Sequence, residues 1–531
     1  MTFVSIAFII FAAITALVYF LVPKKGQWIV LLAASYLFFF INSEWLFLVL
    51  LLTTAVTWLI GRWVAAINRK GRELLQDGGA GLSREEKKAA KARTKKSARR
   101  VMLLGIAVDL GLLLFLKYYN FFAGNLNSLV AHFVSWRLPS LGLILPLGIS
   151  FYTLQAMAYI MDIYRNKYEP DRNFFQFMLF MSYFPQIVQG PIARYNQLAC
   201  QLYEPHAFDY TRLTRGAQLA LWGMMKKLII ADRIAGPVST IFTNYTEYSG
   251  LIVFFAAAGY GIQVYADFSG GMDIARGVSQ VFGIELEMNF NQPYFSQSVE
   301  EFWRRWHMTL GGWMRDYIFY PLSLSKTFAN LGRRSRRFLG AFVGKRLPPF
   351  LAMFIVYLLV GFWHGPEWKY VAYGVWNAVF IMSGILLTEK YDQAKALCGI
   401  DGQSIGWQLF RMARTFCICS VGRIISNAHG LRAALHMLKA MTRWRDLSFL
   451  ANGQIHDLGL DTANWVVLLA AVAVLIAVDY LHERNVHIRE TIAKQYFLFR
   501  WLIYYGAIAA LLVFGLYGPG YDSASFIYEQ F

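Results

Sequence analysis

Charge is scarce in this sequence, and acid is scarcer than base. Of 531 residues only 16% are charged, and 32 Asp and Glu stand against 51 Lys and Arg. A soluble domain carries about a quarter of its residues as charges, so a soluble globular protein of this length is excluded. There are only four cysteines, Cys200, Cys398, Cys417 and Cys419, and no Cys-x-x-Cys pair. That excludes a disulfide framework or a cysteine zinc site. The His, Asp and Glu residues form no cluster at ligand spacing, so no metal is expected. The chain has no internal repeat, the mark of many transporters, and no separable soluble domain.

What is abundant is apolar sequence, with 57% hydrophobic and 17% aromatic residues. Continuous apolar runs recur: Val4–Val22, Trp45–Ile60, Val101–Leu116, Leu351–Phe362 and Trp465–Val478. Several approach the ~20 residues that a spanning helix needs. Because they do not alternate with polar residues, they exclude a β-barrel. The expected fold is an all-α polytopic membrane protein. The net charge of +19 would suggest nucleic acid in a soluble protein. Here the cations fall between apolar runs, which points to membrane orientation and to no nucleic-acid partner.

The stretch 68–100 is the most basic, with Lys87, Lys88, Lys91, Arg93, Lys95, Lys96, Arg99 and Arg100. The positive-inside rule expects it in the cytoplasm. The Lys24/Lys25 turn then also lies inside, with the N-terminus outside. No base precedes Val4–Val22, the reverse of a secretory signal, so a retained helix is expected. A second basic cluster, 333–346, is expected inside as well. For the first loop the plain reading is a solvated helix with no specific partner, and the alternative is a lipid or protein site.

The middle of the chain is irregular. Leu141–Tyr164 is broken by Pro146 and Gly148, and Phe174–Ile192 by Pro185 and Gly190. Gln155, Asp162, Gln186 and Gln189 lie inside these stretches. Irregular polar backbone survives at membrane depth only where protein buries it or a cavity wets it, so these segments are expected to wall a cavity. Val299–Leu322 is too charged to span and reads as an amphipathic helix. At helical spacing Glu300, Arg304, His307 and Gly311 share one face. Further on, the uncharged run Phe350–Phe362 leads to His364, and Gly365-Pro366 ends the helix there. An ionisable group at such a break is a functional candidate. The plain alternative is an interfacial histidine among Trp363, Trp368 and Tyr370.

Together the motifs resemble the membrane-bound O-acyltransferase (MBOAT) family. They are Glu301-Phe302-Trp303-Arg304-Arg305-Trp306-His307-Met308-Thr309-Leu310, Arg315-Asp316-Tyr317-Ile318 and Gly361-Phe362-Trp363-His364-Gly365. Leu145–Tyr152, Phe184-Pro185-Gln186, Gly190-Pro191-Ile192, Lys226-Lys227 with Ala231-Asp232-Arg233, and Tyr265–Gly270 are similar to its bacterial polysaccharide-modifying branch, above all the alginate O-acetyltransferase type. Two features depart from that pattern: Gly311-Gly312 stands where a small or serine pair is common, and Asn377 near a frequent further histidine. The resemblance implies a helical bundle around a central tunnel with re-entrant or interfacial helices. It divides the chain into N-terminal helices 1–135, a catalytic core 136–395, and C-terminal helices with an extracytoplasmic tail, 396–531.

It also implies acyl transfer from a cytoplasmic thioester, acetyl-CoA or another, to an extracytoplasmic acceptor, in the bacterial cytoplasmic membrane. The implied partners are the lipid bilayer, the acyl donor, a periplasmic acetyltransferase and polysaccharide synthesis machinery. His364 is expected as general base, since neutral imidazole suits taking a proton near neutrality. His307 would orient substrate or stabilise an oxyanion. Arg304 would hold a donor phosphate or pair with Glu300. Asp232 matches a family motif position, with an ion pair to Lys227 or Arg233 as its plain reading, and Asp267 reads as structural. The C-terminal Phe526-Ile527-Tyr528-Glu529-Gln530-Phe531 resembles a Phe-x-Tyr-x-x-Phe motif that implies Tyr528 as an acyl relay; an interfacial aromatic anchor is its alternative. Two other classes compete: a transporter or flippase with histidines on its path, and a non-catalytic scaffold.

Overall fold

The computed structural model describes residues 1–76, 83–133, 136–443, 454–518 and Phe526. Among them the regular structure is helical, and the sole strand-like feature is an antiparallel bridge between Phe290 and Trp306. Six stretches are long and apolar enough to cross a membrane, or seven if the helix pair Trp368–Leu386 and Thr388–Leu397, bent by 60°, counts as one. This is a multi-pass membrane protein. The last helix, Phe497–Phe514, buries no residue, and Ile6, Ile10, Ile14, Leu17 and Leu21 of the first are all half-exposed or more. Apolar surface on that scale needs lipid around it.

The chain forms two compact units, residues 1–216 with 278–287, and residues 217–277 with 288–531. The first contains α1 (Ile6–Leu21), α2 (Gln27–Ser43), α3 (Phe47–Gln76), α4 (Arg84–Leu113), α5 (Tyr119–Val130) and α6 (Ile149–Tyr164). Glu44, with φ 46°, breaks the long apolar stretch 24–76 into α2 and α3. The described parts of the basic stretch 68–100 are helical, as the solvated-helix reading expects, and continue α3 and α4. Ser83 starts α4 with a capping box: its hydroxyl accepts from Glu86 N–H, and the Glu86 carboxylate accepts from Ser83 N–H. Helix α6 is buried almost throughout, and Gln155 donates to Phe180 O at 2.8 Å and meets Gln186 at 2.9 Å. These contacts explain how polar groups survive inside that segment.

Orientation is open to direct measurement. Exposed Ser83 lies in the basic region that the positive-inside rule places in the cytoplasm. Ser83→Cys, in a background without Cys200 and Cys398, is expected to resist an impermeant thiol reagent in intact spheroplasts and to react after lysis. Ready labelling of intact cells would reverse the assigned direction.

The second unit holds α7 (Gly250–Val281, apart from its last turn), α8 (Val299–Arg305), α9 (Met308–Met314), α10 (Lys326–His364), α11 (Trp368–Leu386), α12 (Ile405–Asn427) and α13 (Thr462–Glu483). The basic cluster 333–346 lies within α10, which changes direction at Gly340 (φ 80°, ψ 168°) and carries Pro348 and Pro349. Beyond the prolines α10 runs apolar to His364. There α10 and α11 touch backbone to backbone: a Cβ on Gly361 would come within 2.4 Å of Tyr370 O, and one on Gly374 within 2.3 Å of Tyr357 O. Only glycine allows this approach, and it fixes the ring of Tyr370 against the end of α10.

Candidate active site

One expectation fails at His307. The segment Val299–Leu322 is not a single amphipathic helix: α8 ends at Arg305, and His307 adopts a left-handed conformation (φ 47°, ψ 53°) before α9 begins. The cause lies in the preceding loop. Asn291 N–H bonds to Arg305 O at 3.0 Å, and Met308 N–H to Asn289 O at 3.0 Å, which draws Trp306 into its bridge with Phe290. The Asn289 side chain then takes both the Thr309 N–H and the Thr309 hydroxyl at 2.9 Å on its Oδ1. Side-chain bonds of this kind compete with helical ones. As a result His307 does not share a face with Arg304. His307 is buried at 1% exposure, while the Arg304 side chain is 67% exposed and pairs with Glu300 at 3.3 Å.

The same contacts favour one His307 tautomer. A backbone N–H can only donate, so the atom of Asn289 facing Thr309 N–H must be the oxygen. His307 Nδ1 sits 3.3 Å from that oxygen. In a neutral ring Nδ1 is then the donor, and the lone pair is on Nε2. His307 lies between helices, outside the spanning segments. Burial first, and the nearby His364 second, hold its imidazole well below the usual histidine range.

His364 ends α10, as Gly365-Pro366 requires, and is buried. Trp363 stands between the two histidines: its ring centroid is 5.4 Å from that of His307 and 5.2 Å from that of His364. Phe268 lies edge-on to His307 at 4.9 Å, and Tyr373 edge-on to His364 at 5.8 Å. The fold therefore brings together two imidazoles from distant parts of the sequence inside an aromatic shell. Asn377 belongs to the support: it accepts from Trp303 Nε1 at 2.9 Å and donates to Tyr373 O at 2.8 Å.

Asp232 lies in a separate cluster of the same unit. Lys227 Nζ bridges Asp232 at 2.9 Å and Asp267 at 2.7 Å, and all three side chains are 2% exposed. Lys227 belongs to a wholly buried π-helical turn, Lys226–Ala231, a form common at functional sites. Its ammonium also faces the ring of Phe526 at 4.6 Å. Asp267 is adjacent in sequence to Phe268 of the His307 shell. Tyr528 lies outside the described residues.

One residue near the site escaped the sequence reading. Arg423 of α12 is 4% exposed, with its guanidinium 5.2 Å from the ring of Trp306, 5.4 Å from Tyr294 and 5.6 Å from Phe302. Such an aromatic cage holds a cation without a carboxylate. The signal available was a single cation inside the apolar part of a helix.

The described residues thus form a helical membrane protein with a buried histidine pair in an aromatic shell. The MBOAT, membrane-bound O-acyltransferase family, matches residues 169–395. The probable alginate O-acetylase AlgI of Pseudomonas syringae pv. tomato is 32% identical over 398 residues, covering 75% of this chain and 71% of the relative. The probable alginate O-acetylase AlgI of Pseudomonas putida is 31% identical over 456 residues, covering 86% and 83%. The peptidoglycan O-acetyltransferase of Helicobacter pylori is 30% identical over 370 residues, covering 64% of each chain. The chain belongs to the membrane-bound O-acyltransferase family and is an O-acyltransferase.

Proposed function

We propose that this enzyme moves an acetyl group from a cytoplasmic thioester, acetyl-CoA or another, across the bacterial cytoplasmic membrane to O-acetylate an alginate-like exopolysaccharide or a cell-wall glycan. The acceptor is reached directly or through a periplasmic acetyltransferase partner of the polymer machinery. The likeness to alginate and peptidoglycan O-acetyltransferases supports the substrate class. The observation that carries the chemistry is the pair of buried imidazoles meeting at Trp363.

In this reading His364 takes the proton of the attacking hydroxyl. The hydroxyl oxygen forms the new ester bond to the acetyl carbon, the carbon–sulfur bond breaks, and the departing thiolate recovers the proton. The tautomer refines the role of His307. With its lone pair on Nε2 it is a hydrogen-bond acceptor, suited to aligning a hydroxyl rather than donating to an oxyanion. Purified protein given radiolabelled acetyl-CoA and an acceptor oligosaccharide tests the reaction, with the label expected in alkali-labile ester. His307→Ala is expected to cut turnover severely but incompletely, because alignment is lost while the base remains. Normal turnover by that variant would remove His307 from the reaction.

Tyr528 extends the proposal as a relay. Its phenol oxygen would take the acetyl group from the thioester and pass it to the final hydroxyl. A phenol has a reference pKa near ~10, far below a sugar alcohol, so one histidine activates it more easily. Phe526, two residues earlier, is buried against Lys227, which speaks against an interfacial aromatic anchor at that residue. Tyr528→Phe is expected to abolish transfer while the protein stays folded, and intact-mass measurement of wild type should trap an acetyl group on Tyr528. Full polymer acetylation by Tyr528→Phe, or by a chain truncated before Phe526, would rule the relay out.

A further inference from the structure

Helices α3 and α4 continue side by side beyond their apolar stretches, and with the end of α6 they enclose a cleft of about 590 Å³. Its walls include Arg72, Lys91, Lys95 and Arg165, and no carboxylate lines it among the described residues. Leu75 and Tyr164 give the same cleft an apolar side. Gly71 sets its width: a Cβ there would lie 2.3 Å from Thr94 Cγ2, so the two helices are in contact at the cleft floor.

The level of the cleft follows from helix rise. At about 1.5 Å per residue, Arg72 stands about 8 Å beyond Ile67, the last apolar residue of the α3 span. Lys95 likewise stands about 9 Å before Val101, where the apolar part of α4 begins. With some helix tilt, Arg72 and Lys95 stand at the headgroup layer, which adds roughly 5–8 Å to each side of the hydrocarbon, and Lys91 stands one turn, about 6 Å, further out.

Arg72 is held in place, with Nη1 on Asn166 Oδ1 at 3.0 Å and Nη2 on Glu169 at 3.1 Å. Lys91 and Lys95 have no ion pair among the described residues. They lie one turn apart on one face of α4, an arrangement that repels itself and that a bound anion would relieve. The cations call for a phosphate, and Leu75 with Tyr164 calls for apolar substance attached to it.

We infer that this cleft is a binding site for the phosphate headgroup of an anionic phospholipid. A soluble phosphate compound would satisfy the cations but leave the apolar wall and the headgroup depth unexplained. The site lies outside the histidine site and does not depend on the reaction proposed there.

The test is a melting titration of the full-length detergent-purified protein with phosphatidylglycerol or phosphatidylcholine in mixed micelles. Phosphatidylglycerol is expected to raise the melting temperature saturably, and phosphatidylcholine is not. Each lysine near a lipid surface contributes about fivefold in affinity, so Lys91→Gln with Lys95→Gln should weaken the half-saturating concentration by roughly 25-fold. Lys87→Gln with Lys88→Gln, on the same helix but outside the cleft, should leave it unchanged. Equal stabilisation by both lipids, or equal weakening by both double variants, would overturn the site. Displacement of the phosphatidylglycerol effect by millimolar inorganic phosphate or coenzyme A at constant ionic strength would assign the cleft to a soluble phosphate and overturn the lipid.

Discussion

His364→Ala is expected to reduce acetyl ester on the polymer to background while the protein remains folded in the membrane. General-base assistance contributes roughly 10²–10⁴ in rate, and the rings of Trp363, Tyr370 and Tyr373 that surround His364 supply no base of comparable strength near neutrality. The side chain ends α10 rather than sitting mid-helix, so its truncation spares the helical ladder. A melting curve within a few degrees of wild type, alongside lost thioester turnover, separates a chemical role from a structural one. The same variant distinguishes the competing classes. A scaffold would assemble the polymer machine and give normally acetylated product without this imidazole. A transporter would lose substrate movement yet show no thioester chemistry in either form. Wild-type acetylation by His364→Ala would end the assignment.

How much of this site the sequence discloses differs between the two histidines. His364 is legible because its signals are local: an apolar helix, then Gly365-Pro366, at which that helix ends. His307 is recognisable as a motif residue but not as a helix break. Glu300, Arg304, His307 and Gly311 satisfy helical spacing, and no proline stands between Val299 and Tyr320 to forbid a helix. The break is imposed from outside by Asn289, whose backbone and side chain capture Met308 and Thr309. That is a tertiary override of a local pattern. Arg304 goes astray for the same reason: once the helix breaks, it stays on the exposed side while His307 turns inward.

The fold shows the same division. The apolar runs disclose the helices, and the embedded polar residues of 149–164 disclose that the segment is buried in protein. What the runs do not disclose is where helices continue beyond the membrane. Residues 68–76 and 84–100 are helical although they carry no apolar stripe, since α3 and α4 support each other through contacts such as Gly71 on Thr94. Pairings across distance are equally silent: Lys227 meets Asp267 through the packing of the π-helical turn on α7, and no spacing rule reaches that far.

That pairing gives the second large effect. Lys227→Met is expected to destabilise the protein by about 3–5 kcal/mol, the usual consequence of removing one partner from a buried ionic cluster. Asp232 and Asp267 both pair with this ammonium, at 2.9 and 2.7 Å, and both are 2% exposed. Methionine matches the length of the lysine stem, so the loss isolates charge from packing. The two buried carboxylates then lose the cation that bridges them. The aromatic contact with Phe526 goes as well, so the loss should extend to the tail. Leu516 N–H bonds to Leu228 O at 3.1 Å and Arg233 Nη2 to Phe514 O at 2.7 Å, which ties the chain entering the tail to the same π-helical turn. Lys227→Met should therefore melt at a clearly lower temperature and become sensitive to carboxypeptidase near Phe526. The triple variant Lys227→Met, Asp232→Asn, Asp267→Asn should recover much of the lost stability, because it removes all three charges of the cluster together. It should not restore protection of the tail, since the cation facing Phe526 is still absent. If Lys227→Met melts with wild type, the cluster is not holding the fold. If the triple variant protects the tail fully, Phe526 is held by apolar packing alone, and the ammonium does not anchor it.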